Sequence, residues 1–160
     1  MSLSNNLQVR IDLPGEDEYL FDHWHQDYPS AMVSQHGCVL WIPLNDITMD
    51  MGPGELLAGS HRRGLQRVRL QEGRYFAIDD KDFLASCPSV CIEVEAGDVV
   101  VFDLMLAHRS SRNVSSRPRW TATFRYCDMR EKVSVVAGWP GYYSQGKHFT
   151  KVHPDYVASQ

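Results

Sequence analysis

The chain has little of what usually betrays a function at first reading. It lacks a basic stripe: the net charge is −4, with acidic and basic residues interspersed, so the electrostatic footprint of a nucleic-acid-binding surface is missing. No apolar run is long enough to cross a bilayer as a helix, and the opening residues MSLSNNLQVRIDLPG have no apolar signal core. Neither nucleic acid nor membrane is expected as a partner, and the expected compartment is the cytoplasm. Cysteine is sparse, and Cys38, Cys87, Cys91 and Cys127 form no CxxC pair and no zinc-site spacing, which points to reduced structural thiols. In that setting the acceptor tripeptide Asn113-Val114-Ser115 is a chance match. Sustained helical periodicity, internal repeats and low-complexity linkers are absent as well. At 160 residues the chain suits one domain with a real core, and a single domain over residues 1–160 is expected.

What is present is a series of short β-forming runs punctuated by Gly and Pro. Residues 7–11 alternate and stop at Pro14-Gly15, ahead of an acidic corner at residues 16–18. Residues 19–28, YLFDHWHQDY, read as a strand that Pro29-Ser30 ends. Residues 36–44, HGCVLWIPL, read as a central strand whose ladder Pro43 limits. A loop turning at Gly52-Pro53-Gly54 precedes a short strand at residues 55–58; residues 59–64 form a second loop, and residues 66–70 another strand. Residues 79–85 are the one convincing helix. The stretch AGDVVVFDLMLAHRSSRNVSSRPRWTATFRY, residues 96–126, reads as strand, turn, strand: a buried run over residues 99–104 ending just before His108, then alternation after Pro118. There Arg119, Thr121, Thr123 and Arg125 share one face, predicted to point inward, and Trp120, Ala122, Phe124 and Tyr126 share the other. Many short strands at this spacing predict an all-β sandwich or barrel of the jelly-roll kind.

His25-Gln26-Asp27 puts an imidazole and a carboxylate two residues apart, on the same face of an extended strand. Alone the pair is weak, because a chain with seven histidines produces one by chance. If His108 folds over to meet it, the set is two histidines and a carboxylate on one side of a metal, with the remaining positions open, as in non-haem Fe(II) oxygenases. Arg119 follows His108 by eleven residues and begins the next strand. Its planar fork matches a carboxylate and suits the distal carboxylate of 2-oxoglutarate inside a dry barrel. Arg117 is its rival, but Pro118 between them makes Arg119 the first residue of the strand proper.

These residues resemble the phytanoyl-CoA dioxygenase family of Fe(II)- and 2-oxoglutarate-dependent oxygenases. The elements stand in family order: LPGEDEYLFDHWHQD, VLWIPLNDIT, GPGELLAGSHRRG, then AGDVVVFDLMLAHRSSRNVSSRPR. The resemblance implies a double-stranded β-helix, a jelly-roll or cupin-like barrel with few short helices. It implies His25, Asp27 and His108 as iron ligands, Arg119 as the 2-oxoglutarate clamp, and Ser110 and Trp41 as cosubstrate neighbours. The chain departs from the family pattern at Met51-Gly52-Pro53 and Ala58-Gly59-Ser60-His61, near the expected substrate mouth. Relatives also carry helices and a strand ahead of the first motif that are nearly absent from this sequence.

The activity so implied is hydroxylation of an unactivated C–H bond of a small organic molecule by O2, with 2-oxoglutarate decarboxylated to succinate and CO2. Retention of Asp27 favours hydroxylation over halogenation. Two alternatives stay open: a cupin-like metal-dependent isomerase or hydrolase, and a non-catalytic barrel that binds a small ligand. The cluster Arg62, Arg63, Arg67 and Arg69 is expected to be a solvated face. Asp27→Ala is expected to abolish hydroxylation and leave the barrel folded. The short N-terminus leads to the expectation of a bare apolar sheet face, and hence of a homodimer or a marginally stable fold.

Overall fold

The computed structural model describes residues 2–3, 7–15, 23–31, 34–71, 75–128, 130–132, 136 and 147–158. Its longest strand, β10 (Arg119–Cys127), is the spine of the larger sheet. β3 (Gly37–Pro43) runs antiparallel along one edge of β10, with Phe124 opposite Leu40. The other edge takes β2 (Gln8–Asp12), with Trp120 opposite Ile11, and then β1 (Ser2–Leu3). β8 (Val100–Asp103) completes this sheet outside β3. A smaller sheet has β4 (Gly54–Leu57) between β7 (Ser89–Ile92) and β9 (His108–Ser110). β5 (Val68–Gln71) and β6 (Tyr75–Ile78) form a separate antiparallel pair. This is the mostly-β double-stranded β-helix expected, with few short helices.

The alternation after Pro118 holds in the tertiary structure. Arg119, Thr121 and Arg125 are buried and, with Thr123, line the space between the two main sheets, whereas Trp120 is 40% exposed on the other side. A period of two makes this all or nothing, since a slip of one residue would have exchanged the faces. The outer face is apolar across four strands: Val9 and Ile11 of β2, Trp120, Ala122 and Phe124 of β10, Leu40 and Ile42 of β3, and Val101 of β8 sit side by side in the register.

Several sequence expectations need correction. Residues 19–28 do not form a strand where they are described: His25 makes one isolated bridge to His108, and the chain then turns into the helix α1 (Tyr28–Ala31), which contains Pro29 and Ser30. The reason is tertiary, because the amide NH groups of Asp27 and Tyr28 both donate to the Leu104 carbonyl at 3.0 and 3.3 Å, and Tyr28 is 1% exposed in a core cluster with Val68, Phe76, Met105 and Phe149. The acidic corner and residues 19–22 lie outside the described residues, as do Trp139, Tyr142 and Tyr143, aromatic residues that the sequence offers either for lining a pocket or for covering the barrel. The run at residues 99–104 is not buried throughout. Among the described residues β8 is an edge strand, and Val99 and Val101 are half-exposed. Strands β1, β6, β7 and β9 go beyond the sequence expectation, as does the helix α3 (Lys147–Val152) that delivers Phe149 to the core. The expected helix is present as α2 (Lys81–Ala85), capped by the Asp80 carboxylate accepting from the Phe83 amide at 2.8 Å. Among the described residues no helix is long and apolar enough to cross a membrane.

Candidate active site

The two histidines are brought together by backbone before their side chains matter. His25 and His108 exchange amide-to-carbonyl hydrogen bonds at 3.0 and 2.9 Å in their bridge, and their rings lie 4.3 Å apart between centroids. The Nδ1 atom of His25 faces the His23 carbonyl at 2.9 Å, and that of His108 faces the Leu106 carbonyl at 2.9 Å. A carbonyl can only accept, so Nδ1 carries the proton in each neutral ring and the Nε2 lone pair is left for a ligand. Burial, and then the nearby His108, pushes the His25 imidazole from its ordinary 6.5 down to about 3. That ring is therefore neutral at physiological pH, as a metal ligand must be.

Asp27 completes the cluster with its two oxygens divided. Oδ1 lies 3.9 Å from His108 Nε2, and Oδ2 accepts from Arg125 Nε at 2.8 Å. Burial alone would raise this carboxyl, but the Arg125 guanidinium and then His108 outweigh it and hold it well below the usual carboxylate range. One ligand atom each from His25, Asp27 and His108 falls within 4.8 Å of the others. The donor set, two imidazoles and one ionised carboxylate, fits one divalent ion.

Gln26, between the two ligands of the motif, faces the other way and is fully buried. Its amide nitrogen Nε2 donates to the carbonyls of Gly64 at 2.9 Å and Met105 at 2.7 Å, and its Oε1 accepts from the Gln66 amide at 2.9 Å. It thereby ties the segment carrying His25 and Asp27 to the loop leading into β5 and to the turn leading to His108. No local pattern marks Gln26 for this role, although a glutamine inside HxD is in plain view.

The cluster opens into a cavity of about 610 Å³ between the two sheets. All six residues expected at the site border it: His25, Asp27 and His108, with Trp41, Ser110 and Arg119. Arg117, the rival cation, is exposed and off this lining, with Nη2 against the Met51 sulfur at 3.6 Å. Arg119 is 2% exposed, but its fork already holds a carboxylate. Nε and Nη2 donate to Asp12 Oδ2 at 3.0 and 2.8 Å, and Nη1 reaches the Met51 and Ser111 carbonyls at 3.4 Å each. Asp12, Arg10 and Arg125 are further charged residues of the cavity; alternation predicts the inward direction of Arg125 alone, and none of the three is an expected site residue. Asp12 also receives Arg10, whose Nε donates to Oδ1 at 2.7 Å. The buried Asn113 holds the Asp12 carbonyl at 3.0 Å.

Other arginine, histidine, cysteine and tryptophan side chains stand outside the His25, Asp27, His108 cluster. Arg62, Arg63, Arg67 and Arg69 are exposed, with Arg69 paired to Asp79 at 2.9 Å. His153 shares a hydrogen bond of 2.8 Å with the Tyr28 hydroxyl beside the Phe149 ring, and the four cysteines are free thiols. Trp24 lies beneath Arg109, whose guanidinium carbon is 4.6 Å from the ring centroid, and Arg109 itself pairs with Glu55.

Two facing antiparallel sheets that enclose a cavity with a His, Asp, His cluster define a double-stranded β-helix with a site suited to one metal. The family model for phytanoyl-CoA dioxygenase (PhyH) matches residues 8–121, and the chain belongs to that family. It is 34% identical over 134 residues to the phytanoyl-CoA dioxygenase of Arabidopsis thaliana, a match that covers 74% of this chain and 45% of the relative. The chain thus spans less than half the length of that relative. Among solved structures, the epimerase SnoN in complex with Fe3+, alpha ketoglutarate and nogalamycin RO superposes with a TM-score of 0.65 at 19% identity, over 79% of this chain and 49% of SnoN. The non-heme monooxygenase ThoJ superposes at 0.62 with 25% identity, over 80% of this chain and 47% of ThoJ.

Proposed function

We propose that this chain carries the active site of a non-haem iron oxygenase that uses Fe(II), 2-oxoglutarate and O2 to hydroxylate an unactivated C–H bond of a small organic molecule. The observation that carries the reading is the convergence of His25, Asp27 and His108 at one wall of a cavity that Arg119 also lines. Family membership supports it, as do the iron and alpha ketoglutarate named for SnoN.

His25 Nε2, His108 Nε2 and Asp27 Oδ1 would hold Fe(II) on one face. Iron so held supplies the redox chemistry of O2 activation as 2-oxoglutarate is decarboxylated to succinate and CO2. The protein's own part is placement. Arg125 engages Asp27 Oδ2 and leaves Oδ1 for the metal; Arg119 offers a guanidinium to the distal carboxylate; Trp41, Ser110, Thr121 and Thr123 border the space between. Because the ligand carboxylate is retained at Asp27, no position is opened for a halide, and hydroxylation is the outcome favoured. The test is to incubate the purified chain with Fe(II), 2-oxoglutarate and a panel of small molecules under air, measuring succinate and oxygenated product. Substrate-stimulated succinate formation with a hydroxylated product is expected. Succinate formed with an epimerised or otherwise unoxygenated product would keep the oxygenase class and overturn hydroxylation; no 2-oxoglutarate consumption by iron-loaded protein would overturn both.

We further propose that the chain self-associates through the outer face of the larger sheet. Val9, Ile11, Trp120 and Val101 on that face are 59, 45, 40 and 60% exposed, and a contiguous apolar surface of this kind marks an interaction site. Sedimentation at low concentration is expected to show a dimer that Val101→Glu dissociates. A monomeric wild type would refute the interface.

A further inference from the structure

We propose that Asp12 is a built-in competitor for the distal carboxylate of 2-oxoglutarate at Arg119, and that Arg10 is the partner that retains Asp12 when the ligand enters. The inference rests on the reading of Arg119 as the cosubstrate clamp. Its starting point is a conflict: the guanidinium best placed to receive a carboxylate in this cavity already holds one. Arg119 and Asp12 face each other across the β10–β2 ladder, and both side chains are almost fully buried, at 2% and 4% exposure. Two of the three nitrogens of the fork converge on Asp12 Oδ2. The third reaches the two carbonyls at 3.4 Å.

An incoming carboxylate at Arg119 must therefore share the fork or displace Asp12. Sharing sets two like charges side by side out of bulk water, which is the more costly arrangement. Displacement has a ready route. Arg10 lies two residues before Asp12 on β2, so both project from the same face, and Arg10 holds the opposite oxygen, Oδ1, at 2.7 Å from Nε and 2.6 Å from Nη2. A side-chain rotation can withdraw Oδ2 from Arg119 while Oδ1 keeps its ion pair with Arg10. The backbone does not have to follow, because Asn113 Nδ2 anchors the Asp12 carbonyl at 3.0 Å. The side chain of Arg10 is 29% exposed, so it has room to travel with Asp12. Asp12 thus sets the affinity of the site, and it does so only for ligands that carry a distal carboxylate. A 2-oxo acid without that group leaves the Asp12–Arg119 pair in place.

The test is calorimetric titration of 2-oxoglutarate, and separately of 2-oxobutyrate, into the chain loaded with Ni(II), which supports binding without turnover. Asp12→Asn is expected to lower the Kd for 2-oxoglutarate about tenfold, the worth of one charge-assisted contact, and to leave that for 2-oxobutyrate unchanged. Arg10→Gln is expected to raise the Kd for 2-oxoglutarate, because Asp12 is then left to Arg119 alone. An unchanged or raised Kd for 2-oxoglutarate in Asp12→Asn overturns the inference. Should that variant fail to fold, an unchanged or lowered Kd in Arg10→Gln overturns it in its place. Arg119→Gln separates this from the underlying reading: loss of the preference for 2-oxoglutarate over 2-oxobutyrate upholds the clamp, and survival of that preference defeats both.

Discussion

Asp27→Asn is expected to reduce 2-oxoglutarate-dependent succinate formation to the level of a blank while the chain remains folded. Asp27→Ala is expected to abolish the same activity and, in addition, to cost up to about 3–5 kcal/mol of stability, the range for breaking a buried ion pair by removing one member, with Arg125 keeping its 3.4 Å contact to Gln8 Oε1. The difference comes from Arg125, which is 5% exposed and donates to Asp27 Oδ2 at 2.8 Å. An asparagine oxygen can still accept from that guanidinium, but a neutral amide is a poor third ligand for Fe(II). Alanine removes the metal ligand and the ion-pair partner together. The sequence-based expectation that Asp27→Ala leaves the barrel intact is revised accordingly, since it takes no account of a cation behind the carboxylate. Succinate measured by mass spectrometry, with urea denaturation of the metal-free proteins alongside, checks both parts. Wild-type turnover in either variant would remove Asp27 from the metal site, and equal stability of the two would mean that Arg125 finds an adequate replacement.

The second large effect is expected at Gly52. Its φ is +71°, a conformation disfavoured for residues with a Cβ. A Cβ at this position would also press on the Ser111 carbonyl oxygen and come within 2.5 Å of the Arg112 carbonyl oxygen. Both obstacles are backbone and cannot rotate away. Strain plus overpacking puts the loss for Gly52→Ala at about 2–4 kcal/mol. The damage has a direction as well: the Ser111 carbonyl and that of Met51, the residue before Gly52, are acceptors of Arg119 Nη1. Weaker 2-oxoglutarate binding should therefore accompany the lost stability. Gly59→Ala is the control, because Gly59 has a similar φ of +78° but nothing within 4 Å of the place a Cβ would take; only the conformational part, about 1–2 kcal/mol, is expected there. Chemical denaturation of the two variants measures the difference. Equal losses would show that crowding against the Ser111 and Arg112 carbonyls contributes nothing.

Local pattern carries some of the fold and misses some of it for identifiable reasons. β10 is legible because a nine-residue alternation is long enough for its period to be unmistakable. β6 and β7, each four residues long, have no such signal; they exist because neighbouring strands offer them edges to pair with. The expected strand at residues 19–28 misleads, over its described part, for a different reason. Its aromatic residues suit a strand, yet Tyr28 uses its ring to enter a core completed by Phe149, from the far end of the chain. His25, Asp27, His108, Trp41, Ser110 and Arg119 all border one cavity, because short motifs in family order constrain which residue types face inward. Their partners are less legible: alternation turns Arg125 inward without showing that it meets Asp27, and nothing local distinguishes Asp12 from an ordinary strand residue.

By itself the sequence determined the strand-rich class, the face of β10 that points inward and the residue types available to a metal and an anion. Each of these depends on interactions or periodicities within a few residues, where backbone geometry leaves few choices. Tertiary structure alone decided that Arg125 engages one oxygen of Asp27, that Gln26 ties two loops together and that Asp12 occupies the fork of Arg119. Those pairings join residues 98, 79 and 107 positions apart. A buried charge or amide takes the partner that the closed sheet sets within hydrogen-bonding reach, and that proximity exists only once β2, β9 and β10 have been brought around the same cavity.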